Sequence, residues 1–281
     1  MFFKLGLWLI PLLAGSLALP QPKAPETDFS QFFVHADPDA RIVGGSLAEE
    51  GSVPYMVAIG DGFIVKSFIC GGSIITPRTV LTAAHCIDVM FSWTGLSRNI
   101  RLTVGTNRHS YGGGTFYGAS RNVTHPEYHR MSIKNDIALL ITSSAIRYTT
   151  LVQPVTLSFD HVPGGVVARA AGWGRIGALS GSLRELFVNT VEGQQCVRDM
   201  AAAGVIHNFL VPDIDPTVEL CTIHSPNHGM CNGDSGSALV RVDSGEQVGI
   251  VSWGLPCARG APDVFVRVSS YLDWLNANVV S

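Results

Sequence analysis

Three short segments carry side chains that could act together in nucleophilic catalysis: Thr82-Ala83-Ala84-His85-Cys86, Asn135-Asp136-Ile137-Ala138-Leu139-Leu140 and Gly233-Asp234-Ser235-Gly236-Ser237, in that order. They offer a base, a carboxylate and a hydroxyl. A serine hydroxyl is a poor nucleophile at neutral pH unless a base takes its proton as it attacks. Ser235 therefore needs His85 within hydrogen-bond reach, and Asp136 would fix the imidazole tautomer and stabilise the imidazolium that forms. Singly, each segment is unremarkable, since a histidine before a cysteine is usually just packed or exposed and an aspartate ahead of an apolar run is usually a turn residue. Their conjunction carries the reading.

The elements that must position these side chains are short. From Ile42 onward, apolar runs are broken every ten or so residues by Gly, Pro, Asn or Ser: 57–59, 73–75, 100–104, 137–141, 166–171 and 248–251. Runs this short, rich in Val and Ile and bounded by turn residues, indicate an all-β barrel or sandwich. One segment differs. Ser270-Tyr271-Leu272-Asp273-Trp274-Leu275 has a capping serine, an acidic residue three later and apolar residues at 271, 274 and 275, which predicts a C-terminal helix over 270–279. No internal repeat or low-complexity tract interrupts the pattern.

A chain of 281 residues is long enough for one large or two small domains. With a net charge of -3 it lacks the basic excess that tracks a phosphate backbone, so nucleic acid is not an expected partner. Lys4, the apolar stretch 5–13 and the small residues Ser16 and Ala18 read as a signal peptide over 1–18, cleaved after Ala18. The stretch is too short for a membrane anchor and contains Pro11. A secreted protein without a membrane span is expected. Residues 19–41, with Pro20, Pro22, Pro25 and Pro38 and no sustained period, read as a propeptide ending at Arg41. Six cysteines lie downstream, and export to an oxidising compartment makes disulfides their expected state. The sequence itself leaves every connectivity open.

The three segments, together with Arg41-Ile42-Val43-Gly44-Gly45, resemble the chymotrypsin/trypsin family of serine proteases over residues 42–281, most of all arthropod digestive chymotrypsins and crustacean collagenolytic proteases. The resemblance implies two six-stranded antiparallel β-barrels, about 42–153 and 154–268, with the active site between them. It implies a catalytic triad of His85, Asp136 and Ser235, and an oxyanion hole formed by the amides of Gly233 and Ser235. It also selects the disulfides 70 to 86, 196 to 221 and 231 to 257. Cleavage after Arg41 would free the Ile42 amine to pair with Asp234 and pull the Gly233 donor into place, making activation a buried ion pair that acts as a switch. One departure is visible: where the family usually follows its nucleophile with Gly-Gly-Pro, this chain has Gly236-Ser237-Ala238.

Specificity is less determined. Ser252-Trp253-Gly254 resembles the segment that pairs with substrate backbone, although Trp253 could equally be a core aromatic. Six positions before the nucleophile, where trypsins carry Asp, stands Gly229, followed by Met230. A floor without charge favours large apolar or aromatic residues before the scissile bond. Asp263 complicates this, since a carboxylate on the facing wall resembles the crustacean enzymes, which accept basic and apolar residues; alternatively it meets backbone donors and is structural. The expected protein is a digestive endopeptidase made as a zymogen. It would be a monomer without cofactor or metal, with protein or peptide substrates, a trypsin-like activator and proteinase inhibitors as partners. The competing reading is a catalytically silent relative that binds partners, and no triad residue is missing to suggest it. His125 and His129 have a zinc-like spacing, but Pro126 and the lack of a following Glu argue against a metal. Beyond Arg41 the basic residues are all Arg except Lys66 and Lys134, a bias compatible with an alkaline working pH.

Overall fold

A computed structural model describes residues 42–62, 67–92, 95–109, 113–176, 178–179, 181–255 and 257–281. The expected signal peptide and propeptide, Arg41 included, lie outside the described residues. Each segment read as a strand is one, and the strands close into two barrels. The first runs Met56–Asp61, Ser67–Ile74, Thr79–Thr82, Ala138–Thr142, Thr115–Thr124, Arg101–Val104 and back to Met56–Asp61, every pair antiparallel. The second runs Val167–Gly172, Arg184–Val191, Glu219–Ile223, Asp263–Arg267, Gln247–Gly254, Ala238–Arg241 and back to Val167–Gly172. Ser46–Leu47 adds to this second sheet by pairing with Arg184–Val191. Closure leaves few open edges.

The apolar runs are continuous because many strands bury both faces. Along Met56–Asp61, Val57 and Ile59 face the core of the first barrel, whereas Met56 and Ala58 enter a separate cluster with Tyr55, Trp173 and Val240. Ala238–Arg241 does the same from the other side, with Leu239 in the second barrel's core and Ala238 and Val240 in the shared cluster. The barrels thus meet through a third apolar layer. That layer fixes the crevice between them.

Among the described residues three α-helices accompany the strands. α1 (Ala84–Asp88) is a single short turn. α2 (Gly193–His207) was not anticipated from the sequence. Its buried residues Cys196, Met200, Ala203 and Gly204 have helical spacing, Glu192 caps it by accepting from the amides of Gln194 and Gln195, and Asn208 closes it in the left-handed conformation. The C-terminal helix is present as a 3-10 turn, Val268–Tyr271, followed by α3 (Leu272–Asn278). The cap expected of Ser270 does not form: Tyr271 occupies the N-cap without a side-chain bond, and the Ser270 hydroxyl donates to the Thr217 carbonyl instead. A tertiary acceptor has displaced the local one. α3 packs Leu275 on the first barrel's core, and Val280 is clasped by Thr79, so the end of the chain straps back across the molecule.

Candidate active site

His85 is delivered by the strand Thr79–Thr82, buried throughout, which ends at Ala83 and turns into α1. Being the second residue of that helix, His85 has a main-chain N–H with no helical acceptor. Asp136 takes it. One oxygen of Asp136 accepts the His85 amide at 2.8 Å, and the other lies 2.7 Å from Nδ1. A carboxylate can only accept, so this contact suits the tautomer with the proton on Nδ1 and an open Nε2. A third donor completes the grip: the Ser252 hydroxyl reaches the same Asp136 oxygen at 2.5 Å. The sequence marks Ser252 only through its resemblance to the segment that pairs with substrate backbone. Nothing local to it signals a partner 116 positions away.

Ser235 arrives from the other barrel on a tight turn, in which the Asp234 amide donates to Cys231 and the Ser237 amide to Asp234. The turn is fastened across the crevice. The Gly71 amide donates to the Ser235 carbonyl at 2.8 Å, and a Cβ on Gly236 would stand 2.3 Å from Thr82 Oγ1 and 3.3 Å from the Ala83 nitrogen. Residue 236 must therefore be glycine, and Ser235 is held beside the segment that carries His85. Gly233 has φ +97°, a region that L side chains rarely adopt. Amides around it are occupied, Asp234 on Cys231 and Gly236 on Val251, while those of Gly233 and Ser235 make no hydrogen bond among the described residues. Two free N–H groups flanking a hydroxyl are suited to hold an oxyanion. The side chain of Ser237, where the family usually has glycine, is fully buried and points at Gly71 in the first barrel.

The disulfides join Cys70 to Cys86, Cys196 to Cys221 and Cys231 to Cys257. The first lies against the imidazole, with Cys86 Sγ 3.8 Å from His85 Nε2. Among the described residues, Cys70, His85 and Cys86 are the one convergence of three ligand-type side chains, and the sulfurs are bonded to each other. They offer no thiolate to a metal. His125 lies against the rings of Tyr271 and Trp274, and His129 bonds to Ser132.

A cleft beside Ser235 is lined by Met230, Val251, Ser252, Trp253, Gly254 and Asp263, among others. Gly229 does not leave its floor empty. A Cβ there would stand 2.8 Å from Asp263 Oδ2, so this carboxylate occupies the space that a side chain at 229 would need. Oδ2 accepts from the Met230 amide at 2.8 Å, and Oδ1 faces Gly254. Burial pushes the Asp263 pKa up to about 7, the Met230 amide opposing and the Asp234 carboxylate adding to the rise.

Ile42 is 1% exposed, in the second barrel's core, and Val43 exchanges two main-chain hydrogen bonds with Gly229. Asp234 is wholly buried, accepting from the amides of Gly174 and Cys231. Among the described residues no cation pairs with it. Burial raises its pKa to about 7 against those two amides.

Two closed antiparallel barrels with serine, histidine and aspartate brought to the crevice between them define a serine protease of the trypsin fold. The family model described as Trypsin matches residues 42–275, and the chain belongs to that family. It is 35% identical to chymotrypsin-2 of Vespa crabro over 84% of this chain and 99% of that protein. It is 32% identical to serine protease SP24D of Anopheles gambiae, over 85% and 82%, and 30% identical to trypsin-2 of Salmo salar, over 88% and 98%. Three disulfides fit an oxidising, extracellular setting. Among the described residues no helix is long and apolar enough to cross a membrane.

Proposed function

We propose that the chain is a secreted serine endopeptidase made as a zymogen, with His85, Asp136 and Ser235 as its triad and the amides of Gly233 and Ser235 as its oxyanion hole. The observation that carries this reading is the Asp136 carboxylate holding both the amide and Nδ1 of His85, opposite the turn that presents Ser235. Ser235 Oγ attacks the substrate carbonyl as Nε2 of His85 takes its proton. The same nitrogen returns that proton to the leaving amine, and water then releases the acyl group by the reverse path. Residues 1–18 are the signal peptide, 19–41 the propeptide, and 42–281 the mature protease with halves of about 42–153 and 154–268. Its partners are protein substrates, a trypsin-like activator that cuts after Arg41, and proteinase inhibitors, and its setting is a digestive lumen. A fluorophosphonate reagent applied before and after tryptic cutting tests this. Labelling of Ser235 in the cut chain alone is expected, and a cut chain that takes no label refutes it.

Large apolar and aromatic residues are the preferred side chains before the scissile bond. Support comes from the apolar lining that Met230, Val251 and Trp253 give the cleft, and from the likeness to a hornet chymotrypsin. Asp263 favours a second preference, for Arg or Lys, whenever it is ionised. With its pKa near 7, the ratio of kcat/KM on an Arg substrate to that on a Leu substrate should rise roughly tenfold from about pH 6 to about pH 8.5, following the ionised fraction. Any pH effect common to both substrates cancels in the ratio. Asp263→Ser should flatten this dependence, and a flat wild-type ratio overturns the assignment.

A further inference from the structure

The loop that enters Asp136 is fastened to distant elements one residue after another. Ile133 is buried with Trp253, Val264 and Met200 of the second half, despite φ +53°, a conformation costly for a β-branched residue. The ammonium of Lys134 lies 2.6 Å from Glu219 Oε2. Asn135, at the same left-handed φ, accepts from the Tyr271 hydroxyl. Asp136 then meets His85 and Ser252. Strain of this kind persists only where the surroundings over-determine it.

Glu219 stands at the centre of this fastening. It begins the strand Glu219–Ile223, and its side chain is 6% exposed. Oε2 also accepts the Asp215 amide at 2.7 Å, while Oε1 accepts Trp253 Nε1–H at 2.9 Å. The Lys134 ammonium stands 5.9 Å from the centre of the same indole. One carboxylate therefore fixes the ring that lines the cleft and, through a lysine of the opposite barrel, the loop two residues before Asp136. Stability alone does not account for such an arrangement, because a buried ion pair is often no better than well-packed apolar side chains of similar volume.

We propose that Glu219 is a positioning residue of the active site, holding the Trp253 indole and the Lys134 loop as the two sides of the surface that receives the substrate residues preceding the cleaved bond. This rests on the protease reading and adds a specificity determinant to it. Glu219 touches no reacting atom, so its effect should depend on substrate length.

The test compares cut wild-type, Glu219→Gln and Lys134→Met proteins on an N-acetyl amino-acid ester, which fills only the primary pocket, and on a peptide extended by several residues before the scissile bond. Glutamine keeps the shape and can still accept from the indole, but it has no charge for Lys134. In both variants kcat/KM on the extended peptide should fall about ten- to a hundredfold, mainly in KM, the size expected for losing one hydrogen bond to a buried charge. Hydrolysis of the ester, which meets Trp253 only where the ring lines the primary cleft, should fall severalfold less than that of the peptide. The double variant should be no worse than either single one, because both remove the same link. Parallel loss on both substrates, or no loss on either, overturns the proposal; Lys134→Met, at a partly exposed side chain, serves if the glutamine variant does not fold. A cut wild-type chain inert toward both substrates would instead overturn the protease reading beneath it.

Discussion

Ser235→Ala, in the cut protein, lowers kcat by roughly six powers of ten and leaves KM and the melting temperature near their wild-type values. The fold should tolerate this change because the turn is held by main-chain groups: Gly71 N–H on the residue 235 carbonyl, Gly236 N–H on Val251, and Asp234 N–H on Cys231. Alanine keeps all of them. What disappears is the oxygen that His85 activates. The free amides at 233 and 235 remain, so a residual rate above that in water should survive. His85→Ala should cost about as much, and the double variant no more than either alone, because base and nucleophile act as one unit. Steady-state and single-turnover kinetics on a peptide amide measure this. A Ser235→Ala enzyme with even a hundredth of wild-type kcat would mean that another group attacks the substrate.

The catalytic segments and the strands were legible because their signals are local. An apolar run bounded by turn residues identifies a strand wherever it packs, and His85, Asp136 and Ser235 each stand in a motif of a few residues. The hydroxyl of Ser252 and the carboxylate of Glu219 were not legible as parts of the site, since each is defined by a partner on a remote strand or loop. A glutamate within Val218-Glu219-Leu220 carries no sign that it will be buried against an indole. Ser270 shows the converse, a correct local signal for a cap overridden by the Thr217 carbonyl. Asp263 lies between these cases. Its presence raised the right question about the pocket, but only packing reveals that Gly229 and Asp263 share one space. Put physically, an aspartate at 229 could not be accommodated above the carboxylate already there.

Both halves of the molecule contribute to each function of the crevice. Asp136 receives Ser252 from the second barrel, Ser235 is clamped by Gly71 from the first, and Lys134 reaches Glu219 in the second. The apolar layer of Met56, Ala58, Ala238 and Val240 keeps the two sides in register. Displacing either barrel would therefore disturb base, nucleophile and substrate surface together. The proposed activation would have to act within this frame, through the segment that carries Gly233 and Asp234.

Asp234→Asn should act differently before and after the cut at Arg41. In the intact chain Ile42 carries a peptide nitrogen, and the buried Asp234 has two amides but no cation among the described residues. Its folded pKa of about 7 exceeds the unfolded value of about 4, so between those limits the native state holds the extra proton and stability falls as pH rises. A carboxamide in its place cannot titrate, and the slope should shrink by the share that Asp234 contributes. After the proposed cut the substitution should instead be destabilising. A new ammonium on Ile42 would supply the missing cation, and removing the Asp234 carboxylate should then cost roughly 3 to 5 kcal/mol, or about two to four powers of ten in the population with Gly233 correctly placed. Pairing raises the amine's pKa above its usual value of about 8, so its contribution is complete below that value and is lost as pH rises through the raised one. Wild-type activity should decline on that alkaline limb, which sets an upper bound on any alkaline working range suggested by the arginine bias. Denaturation of the intact protein from about pH 4 to 8, with kcat/KM of the cut protein at higher pH, reads both effects. A cut Asp234→Asn enzyme at full activity would show that the Ile42 amine does not switch the site.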